Sequence, residues 1–537
     1  MGVMQSTVDT SQSNANRQIA RAAGTVMVAM IISQVVGLVK NILIAHAFGT
    51  GIENEAFFAA NRFTDILYNL VAGGALGSAF IPTFTTLLTQ NARSRAWKLA
   101  SSVANLVTLI LTLLGTATFI FAPWVVENIL APGFKGNAEL MLMTVRLLRL
   151  QLPAPVLFGI SGLLMGILNA HQSFLFPALA PAMYSLGTIF GVLVLVPRMG
   201  VSGLGVGVVM GALLHLLVQA PAWLKLPERS YRLMLGLNLA EVREVARLMA
   251  PRLLGVAAVQ LNFLIKTRLA SAQGEGSLTG ISLAFPLMIM PQAAIAQSIA
   301  IAALPTFSAQ IAGGKKDEMR SSLAATLRGI LLLALPATVG LIMLRVPLVT
   351  FLFKGDVFTQ DSVMLVAWAL LWYAAGLVGH SVVEIVSRAF YALHDTRTPV
   401  FLGVLAMSLN VGLSYLFSAL FARLGWMPHG GLALANSLAT ALEMVALLLV
   451  MRKRLGGLEG GRVWKAAGQG LMGAGLMGAA LWGWIMLTMT ASPAIVVTGG
   501  VVVGGLAYGA ILMLLKVPEV RLGIEFFRRK LRVRRID

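Results

Sequence analysis

The sequence has no cysteine and little charge. Asp, Glu, Lys and Arg together make up 12% of its 537 residues. Without cysteine there is no disulfide, no thiolate metal site and no cysteine nucleophile. A phosphate loop of the form Gly-x-x-x-x-Gly-Lys-Ser/Thr is also missing; Gly313-Gly-Lys-Lys does not have its spacing, which argues against ATP hydrolysis in this chain. There is no His-Glu-x-x-His, and the six histidines, His46, His171, His215, His380, His394 and His429, show no metal-ligand spacing. They read as loop or cavity residues, and no metal or other cofactor is expected.

Apolar sequence fills the space that charge leaves. The chain is 58% hydrophobic, more than a water-soluble fold needs or can hide. Long apolar runs recur from about residue 23 to residue 516, each sufficient to cross a hydrocarbon core of roughly 30 Å. Backbone groups in lipid must satisfy one another, so these runs are expected to be helices, about fourteen of them, in an all-α polytopic membrane protein. The first run ends in Ala45-His-Ala47, like a signal-peptidase site, but it is too long for a signal-peptide core and many spans follow, so no cleavage is expected.

A net charge of +20 invites a nucleic-acid reading, and the distribution of charge opposes it. Arg93, Arg95, Lys98, Lys315, Lys316, Arg320, Arg452, Lys453 and Arg454 fall on the side shared with the N-terminus, whereas Lys135, Arg198, Arg345, Lys354 and Arg423 fall on the other. This positive-inside bias predicts that both termini are cytoplasmic. Residues 1–22 are polar and predict a flexible tail. The run from Arg528 to Arg535, anchored by Phe526 and Phe527, is expected to meet anionic membrane lipids.

Charges inside the apolar runs are costly, about 2.5–3.5 kcal/mol for a lysine at mid-bilayer depth. Lys40 follows Ser33-Gln-Val-Val-Gly-Leu-Val, and Lys266 follows Val259-Gln-Leu-Asn-Phe-Leu-Ile. In each case a glutamine, Gln34 or Gln260, lies six residues before the lysine, and neither lysine has an acid within one turn of its own helix. Arg62 and Asp65 are spaced i, i+3, and Glu384 and Arg388 i, i+4, so each pair can meet on one face and neutralise itself. Arg146 and Arg149 are placed to snorkel at an outer end. Arg268, two residues beyond Lys266, points elsewhere. Asn410 and Ser414, one turn apart, suit a small-cation site or a helix–helix hydrogen bond.

Part of the chain repeats. Pro82 in Ser78-Ala-Phe-Ile-Pro-Thr-Phe and Pro305 in Ile301-Ala-Ala-Leu-Pro-Thr-Phe are 223 residues apart, as are His171 and His394; Lys40 and Lys266 are 226 apart. Similar offsets in the same order indicate a duplication. Six helices per unit return the chain to its starting side, so the repeat is parallel. The expected layout is a tail at 1–22, an N-lobe at 23–228, a C-lobe at 229–456, two further spans within 457–517 and a basic tail at 518–537. The charged stretch 225–247 reads as a solvated amphipathic connector helix.

Several motifs resemble those of the MurJ/MviN lipid II flippases. They are Phe48-Gly-Thr-Gly, Glu55-Ala-Phe-Phe-Ala-Ala, Gly74-Ala-Leu-Gly-Ser-Ala-Phe-Ile-Pro82, Gly166-Ile-Leu-Asn169, Phe176-Pro-Ala-Leu-Ala-Pro181, Leu352-Phe-Lys-Gly-Asp-Val-Phe-Thr359 and, most specifically, Phe390-Tyr-Ala-Leu-His-Asp-Thr-Arg-Thr-Pro399. The resemblance covers nearly the whole chain. It implies a fourteen-helix fold of the multidrug/oligosaccharidyl-lipid/polysaccharide exporter superfamily, two six-helix lobes and a lipid-facing groove made by the last two helices. It also implies a monomeric inner-membrane transporter, not an enzyme, that flips an undecaprenyl-pyrophosphate glycan outward by alternating access, with cell-wall synthesis proteins as partners and no nucleic acid.

The chain departs from the family in its charges. Family members carry arginine where this chain has Gln34, Tyr68 and Pro286, and Lys40 keeps the charge of another arginine position. An aspartate becomes Asn41, Glu55 stands where aspartate is usual, and Gly73 where an acid is common. Lys266 lies outside the family pattern and reads as a replacement cation. Lys40, Lys266 and Arg62 are thus the expected pyrophosphate ligands. Gln34, Asn41, Glu55, Asp65, Gln260, Glu384 and Arg388 are the expected cavity or gating residues. Rival readings are a flippase for another polyprenyl-linked polysaccharide, a multidrug-type exporter of the superfamily, and a non-transporting envelope scaffold.

Overall fold

The computed structural model describes residues 28–71, 75–227 and 229–519. The expected tail at 1–22, Gly73, and the basic run Arg528–Arg535 with Phe526 and Phe527 lie outside the described residues. All described secondary structure is helical. In chain order the principal helices are α1 (Val28–Phe48), α2 (Ile52–Val71), α3 (Ala75–Thr89), α4 (Arg93–Ile120), α5 (Ala138–Ala170), α6 (Leu175–Met199), α7 (Ser202–Leu224) and α8 (Ala240–Ser271). They continue as α9 (Ser277–Ala312), α10 (Lys316–Phe353), α11 (Gln360–Ala375), α12 (Leu377–Ala392), α13 (Arg397–Arg423), α14 (His429–Leu455), α15 (Gly460–Leu487) and α16 (Pro493–Leu514).

Twelve of the described helices are long and apolar enough to cross a membrane, or up to 13 with α11 and α12, bent by 44°, taken as one span. Helix α2 is less apolar than these because Glu53, Glu55, Arg62 and Asp65 all lie on it. With α2 and α3 as one further segment, the architecture agrees with the fourteen helices expected. The chain is a multi-pass membrane protein.

Two compact units divide between Ala272 and Gln273. The sequence repeat places that boundary at 228/229 instead. The difference is α8, which begins the second repeat in sequence yet packs on α2 and α3. Its buried face holds Val242, Val245, Gln260, Asn262, Lys266, Thr267 and Ala270. Val242 and Val245 join a core with Phe80 and Phe84 of α3, Trp97, Leu99 and Val103 of α4, and Leu163 and Ile167 of α5. In the second unit, α9, α10, α12 and α14 share a core around Phe307, Leu323, Ile385, Phe390 and Leu447. The last two helices, α15 and α16, pack on α10 through Leu332, Leu335, Met477, Leu481, Tyr508 and Leu512.

The connector differs from the expectation of a separate helix. Residues 229–239 are irregular, and the helix begins only at Ala240, continuous with α8. Asn105 explains this: its Nδ2 donates to the carbonyls of Arg232 at 3.0 Å and Met234 at 2.9 Å, while Arg232 N donates to Ser101 Oγ at 3.1 Å. Backbone groups of the segment are therefore held by α4 instead of closing helical turns. An Arg95–Glu241 ion pair sits at the point where the helix starts.

The repeat is visible in the turns. After α3, Ala92 N bonds to Leu87 O and Asn91 adopts φ 56°; after α9, Lys315 N bonds to Gln310 O and Gly314 adopts φ 70°. Both are helix stops with a left-handed residue and a six-to-one hydrogen bond, 223 residues apart. After α5 and α12 the same turn recurs at Gln172 (φ 60°) and His394 (φ 56°), closed by Ser173 N to Leu168 O and Asp395 N to Phe390 O. That offset is 222, so Gln172, not His171, stands opposite His394.

Asp395 caps the next helix. Its Oδ1 accepts from Thr398 N at 3.0 Å, and its Oδ2 accepts from Thr398 Oγ1 at 2.7 Å and Arg454 Nη2 at 3.0 Å. These contacts, the Thr398 hydroxyl first, hold its carboxyl below the usual carboxylate range. A depressed carboxylate stabilises the fold above its unfolded pKa, and that contribution is lost as pH falls through the folded value. Asp395→Asn is accordingly expected to lower the melting temperature at neutral pH and to make no difference at acid pH, as read by thermal melts of the detergent-solubilised protein.

Helices α6 and α7 touch backbone to backbone. A Cβ on Gly187 would come within 2.3 Å of Gly211 Cα, and one on Gly191 within 2.7 Å of Gly207 Cα. Small residues permit this approach in lipid. Gly187→Val is expected to destabilise the protein by about 1–3 kcal/mol through overpacking. Gly475→Ala, whose Cβ meets nothing within 4 Å, is expected to leave melting unchanged.

Candidate functional site

Helical spacing brings the charged residues of the first unit together. On α2, Asn61, Arg62, Asp65 and Tyr68 occupy two successive turns. On α8, Phe263, Lys266 and Thr267 fall at i, i+3 and i+4 and so share a face, and α8 packs on α2. Arg62 links the two helices. Its Nε donates to Thr267 Oγ1 at 3.2 Å, its Nη1 lies 3.8 Å from Asp65 Oδ2, and its guanidinium stands over the Phe263 ring at 5.4 Å. The Lys266 ammonium stands over the same ring at 5.7 Å and is buried, 4% exposed. The pair Arg62–Asp65 expected from sequence therefore forms, with Arg62 also committed to a second helix.

Lys40 of α1 is also within electrostatic range of Asp65. Its ammonium lies 5.5 Å from the centre of the Tyr184 ring on α6, and the Tyr184 hydroxyl reaches Asn61 Oδ1 at 3.5 Å. Asp65 is within electrostatic range of both Arg62 and Lys40, and Lys266 within range of Arg62. Arg62 and Lys40 thus stand beside one carboxylate and Lys266 beside Arg62, all within a single compact unit. Cation–π contact of this kind holds an ammonium at a fixed place without cancelling its charge.

Beside this row is a cavity of about 340 Å³. Ser33 and Gln34 line it from α1, Asp65 and Tyr68 from α2, Tyr184 from α6 and His215 from α7. Two of the positions at which the family resemblance places arginine, Gln34 and Tyr68, therefore line one pocket. The third, Pro286, lies inside α9 of the second unit.

The remaining expected residues occupy other positions on their helices. Asn41 follows Lys40 on α1 and points about 100° away. Glu55 is buried near the start of α2 and Gln260 on α8. In the second unit, Arg388 Nη2 donates to Glu384 Oε1 at 2.8 Å on α12. Ser414 Oγ donates to Asn410 Oδ1 at 3.4 Å on α13. Arg268 Nη1 donates to Asn128 O at 2.8 Å, so it does point away from Lys266, and Arg149 Nε donates to Phe119 O at 3.1 Å. Among the described residues no group of three His, Asp or Glu is placed to hold a metal ion.

Sequence reasoning did not single out Asn61, Tyr184, Phe263 or Thr267. Phe263 and Thr267 were detectable by their i−3 and i+1 spacing from Lys266. Asn61 and Tyr184 carry no comparable signal, because only packing brings α6 to α1 and α2.

Comparison with known proteins adds an independent line. The family model described as lipid II flippase MurJ matches residues 44–501. The lipid II flippase MurJ of Burkholderia cenocepacia is 30% identical over 439 residues, covering 81% of this chain and 84% of the relative. A probable lipid II flippase MurJ of Vibrio cholerae is 29% identical over 437 residues, covering 79% and 81%. Among solved structures, a lipid II flippase MurJ in an inward closed conformation superposes with a TM-score of 0.77 at 21% identity, covering 91% of this chain and 98% of the other. An inward-facing multidrug-resistance MATE family transporter of the MOP superfamily gives 0.64 at 17% identity, covering 81% and 99%.

Proposed function

Because this chain belongs to the lipid II flippase MurJ family, we propose that it carries lipid II, an undecaprenyl-pyrophosphate glycan, from the inner to the outer leaflet of the bacterial cytoplasmic membrane by alternating access. The observation that carries the reading of the site is the group of cations Lys40, Arg62 and Lys266, the first two beside the carboxylate Asp65 and the third beside Arg62. A pyrophosphate is a compact polyanion. Arg62 offers it a planar fork, and the two lysines act as point charges. Asp65 offsets the charge of Arg62 and Lys40. The lipid tail stays in the bilayer. The absence of an ATP-binding motif leaves the membrane potential or an ion gradient as the energy source. In this account the protein works as a monomer with both termini cytoplasmic, its basic tail against anionic lipids and cell-wall synthesis proteins beside it.

The multidrug reading fits the site less well. A cationic drug needs surplus acidic groups, and here three bases meet one acid. Proteoliposome binding separates the two. Lipid II is expected to bind and a cationic dye not to. Dye binding that lipid II fails to displace would favour the exporter reading.

A further inference from the structure

We infer that the cavity beside the cationic row is a subsite for an uncharged sugar ring, with Tyr68 and Tyr184 as its walls and Gln34 and His215 as its hydrogen-bonding groups. The inference rests on the flippase reading and sharpens it, since it says which part of the headgroup this chain grips apart from the pyrophosphate.

Four observations support it. The first is wall chemistry. Tyr68, Phe158 and Tyr184 line the cavity as a connected aromatic set, with ring centres 4.6 Å apart for Tyr68–Phe158 and 5.3 Å for Phe158–Tyr184. Flat aromatic faces suit the apolar C–H face of a pyranose, and a mostly apolar wall with a few convergent polar groups is the usual composition of a small-molecule pocket.

The second is an unmatched polar atom within the wall. His215 is 0% exposed; its Nδ1 lies 2.7 Å from Ser161 Oγ, while its Nε2, buried, has no hydrogen-bond partner among the described residues. A buried polar atom left unmatched costs free energy unless a ligand or water meets it. Gln34, which also lines the cavity, can donate and accept at once, as a sugar hydroxyl or N-acetyl group requires.

The third is charge. The carboxylate at the cavity edge, Asp65, is already within range of Lys40 and Arg62, so the pocket has no surplus negative charge to draw in a cation. Gln34 and Tyr68 are neutral, so its walls do not call for a phosphate either. The fourth is position. Tyr184 forms the cavity wall and also lies under the Lys40 ammonium at 5.5 Å. A pyrophosphate on Lys40 therefore sets the first sugar attached to it at the cavity mouth. The volume, about 340 Å³, suits a sugar ring and its substituents and is small for a whole peptide-bearing headgroup.

The test compares two probes on the full-length protein in detergent: lipid II, and undecaprenyl pyrophosphate, which has the same tail and pyrophosphate but no sugar. Gln34→Leu and Tyr68→Leu are each expected to weaken lipid II binding about tenfold, the scale of one lost hydrogen bond or ring contact, and to leave undecaprenyl pyrophosphate binding unchanged. That unchanged binding also shows that the variants are folded. Lys40→Ala is expected to weaken both probes. Equal loss of both probes in the Gln34 and Tyr68 variants, or loss of neither, overturns the sugar subsite while leaving the flippase reading intact. Failure of undecaprenyl pyrophosphate to bind the unaltered protein overturns the pyrophosphate reading itself.

Discussion

Replacing Lys40 and Lys266 together with alanine is expected to reduce lipid II transport by about 10²- to 10⁴-fold. A hydrogen bond to a charged group contributes about 1.5–3 kcal/mol, and two such losses combine to that range. The single variants are expected to fall between the double variant and the unaltered protein. Lys40→Arg is expected to retain transport, because it preserves the cation and adds donors. Lys266→Arg is expected to be poorly tolerated, since Lys266 is buried against Phe263 and a larger fork overpacks a buried position. The measurement is transport in reconstituted vesicles at matched protein insertion. Full activity in the double variant would remove both lysines from the mechanism.

Arg62→Leu is the second large effect, and it separates charge from architecture. Arg62 ties α2 to α8 through Thr267 and offsets Asp65. Its loss is expected to reduce transport by about 10²-fold or more and to destabilise the protein by about 1–3 kcal/mol, because Asp65 loses a charged partner within the bilayer. Adding Asp65→Asn removes the stranded charge. The double variant is expected to recover most of the melting temperature and none of the transport. Recovery of both would make Arg62 a structural neutraliser and nothing more.

Much of the fold was legible because lipid imposes simple rules. Long apolar runs had to be helices, and their number followed from counting. Helix α2 was legible only from its motif, since four charged residues mask its hydropathy. The site was legible in part. Lys40, Arg62, Asp65 and Lys266 stood out because charge in an apolar run is costly. Their grouping was not legible, because repeat spacing reports common descent and not packing. The sequence repeat assigns Lys266 to the second half, but the buried face of α8 lies on α2 and α3. Tyr184 and His215 enter the site from α6 and α7, where no one-dimensional pattern points to α1. The one-residue shift that aligns Gln172 with His394 was hidden for a similar reason: the matching histidines are one residue out of step with the backbone turn that closes each helix.

The role of Lys40, Arg62 and Lys266 in moving lipid II across the membrane is tested most directly in cells depleted of their own lipid II flippase, by measuring the share of lipid II open to an externally added lipid II-cleaving enzyme. The unaltered chain is expected to restore growth and outer-leaflet lipid II, whereas the Lys40→Ala, Lys266→Ala double variant, inserted to the same level, is expected to restore neither. Equal restoration by both would contradict the role of the row. No restoration by the unaltered chain, despite normal insertion, would contradict transport of lipid II and favour another polyprenyl-linked glycan or a non-transporting role in the envelope.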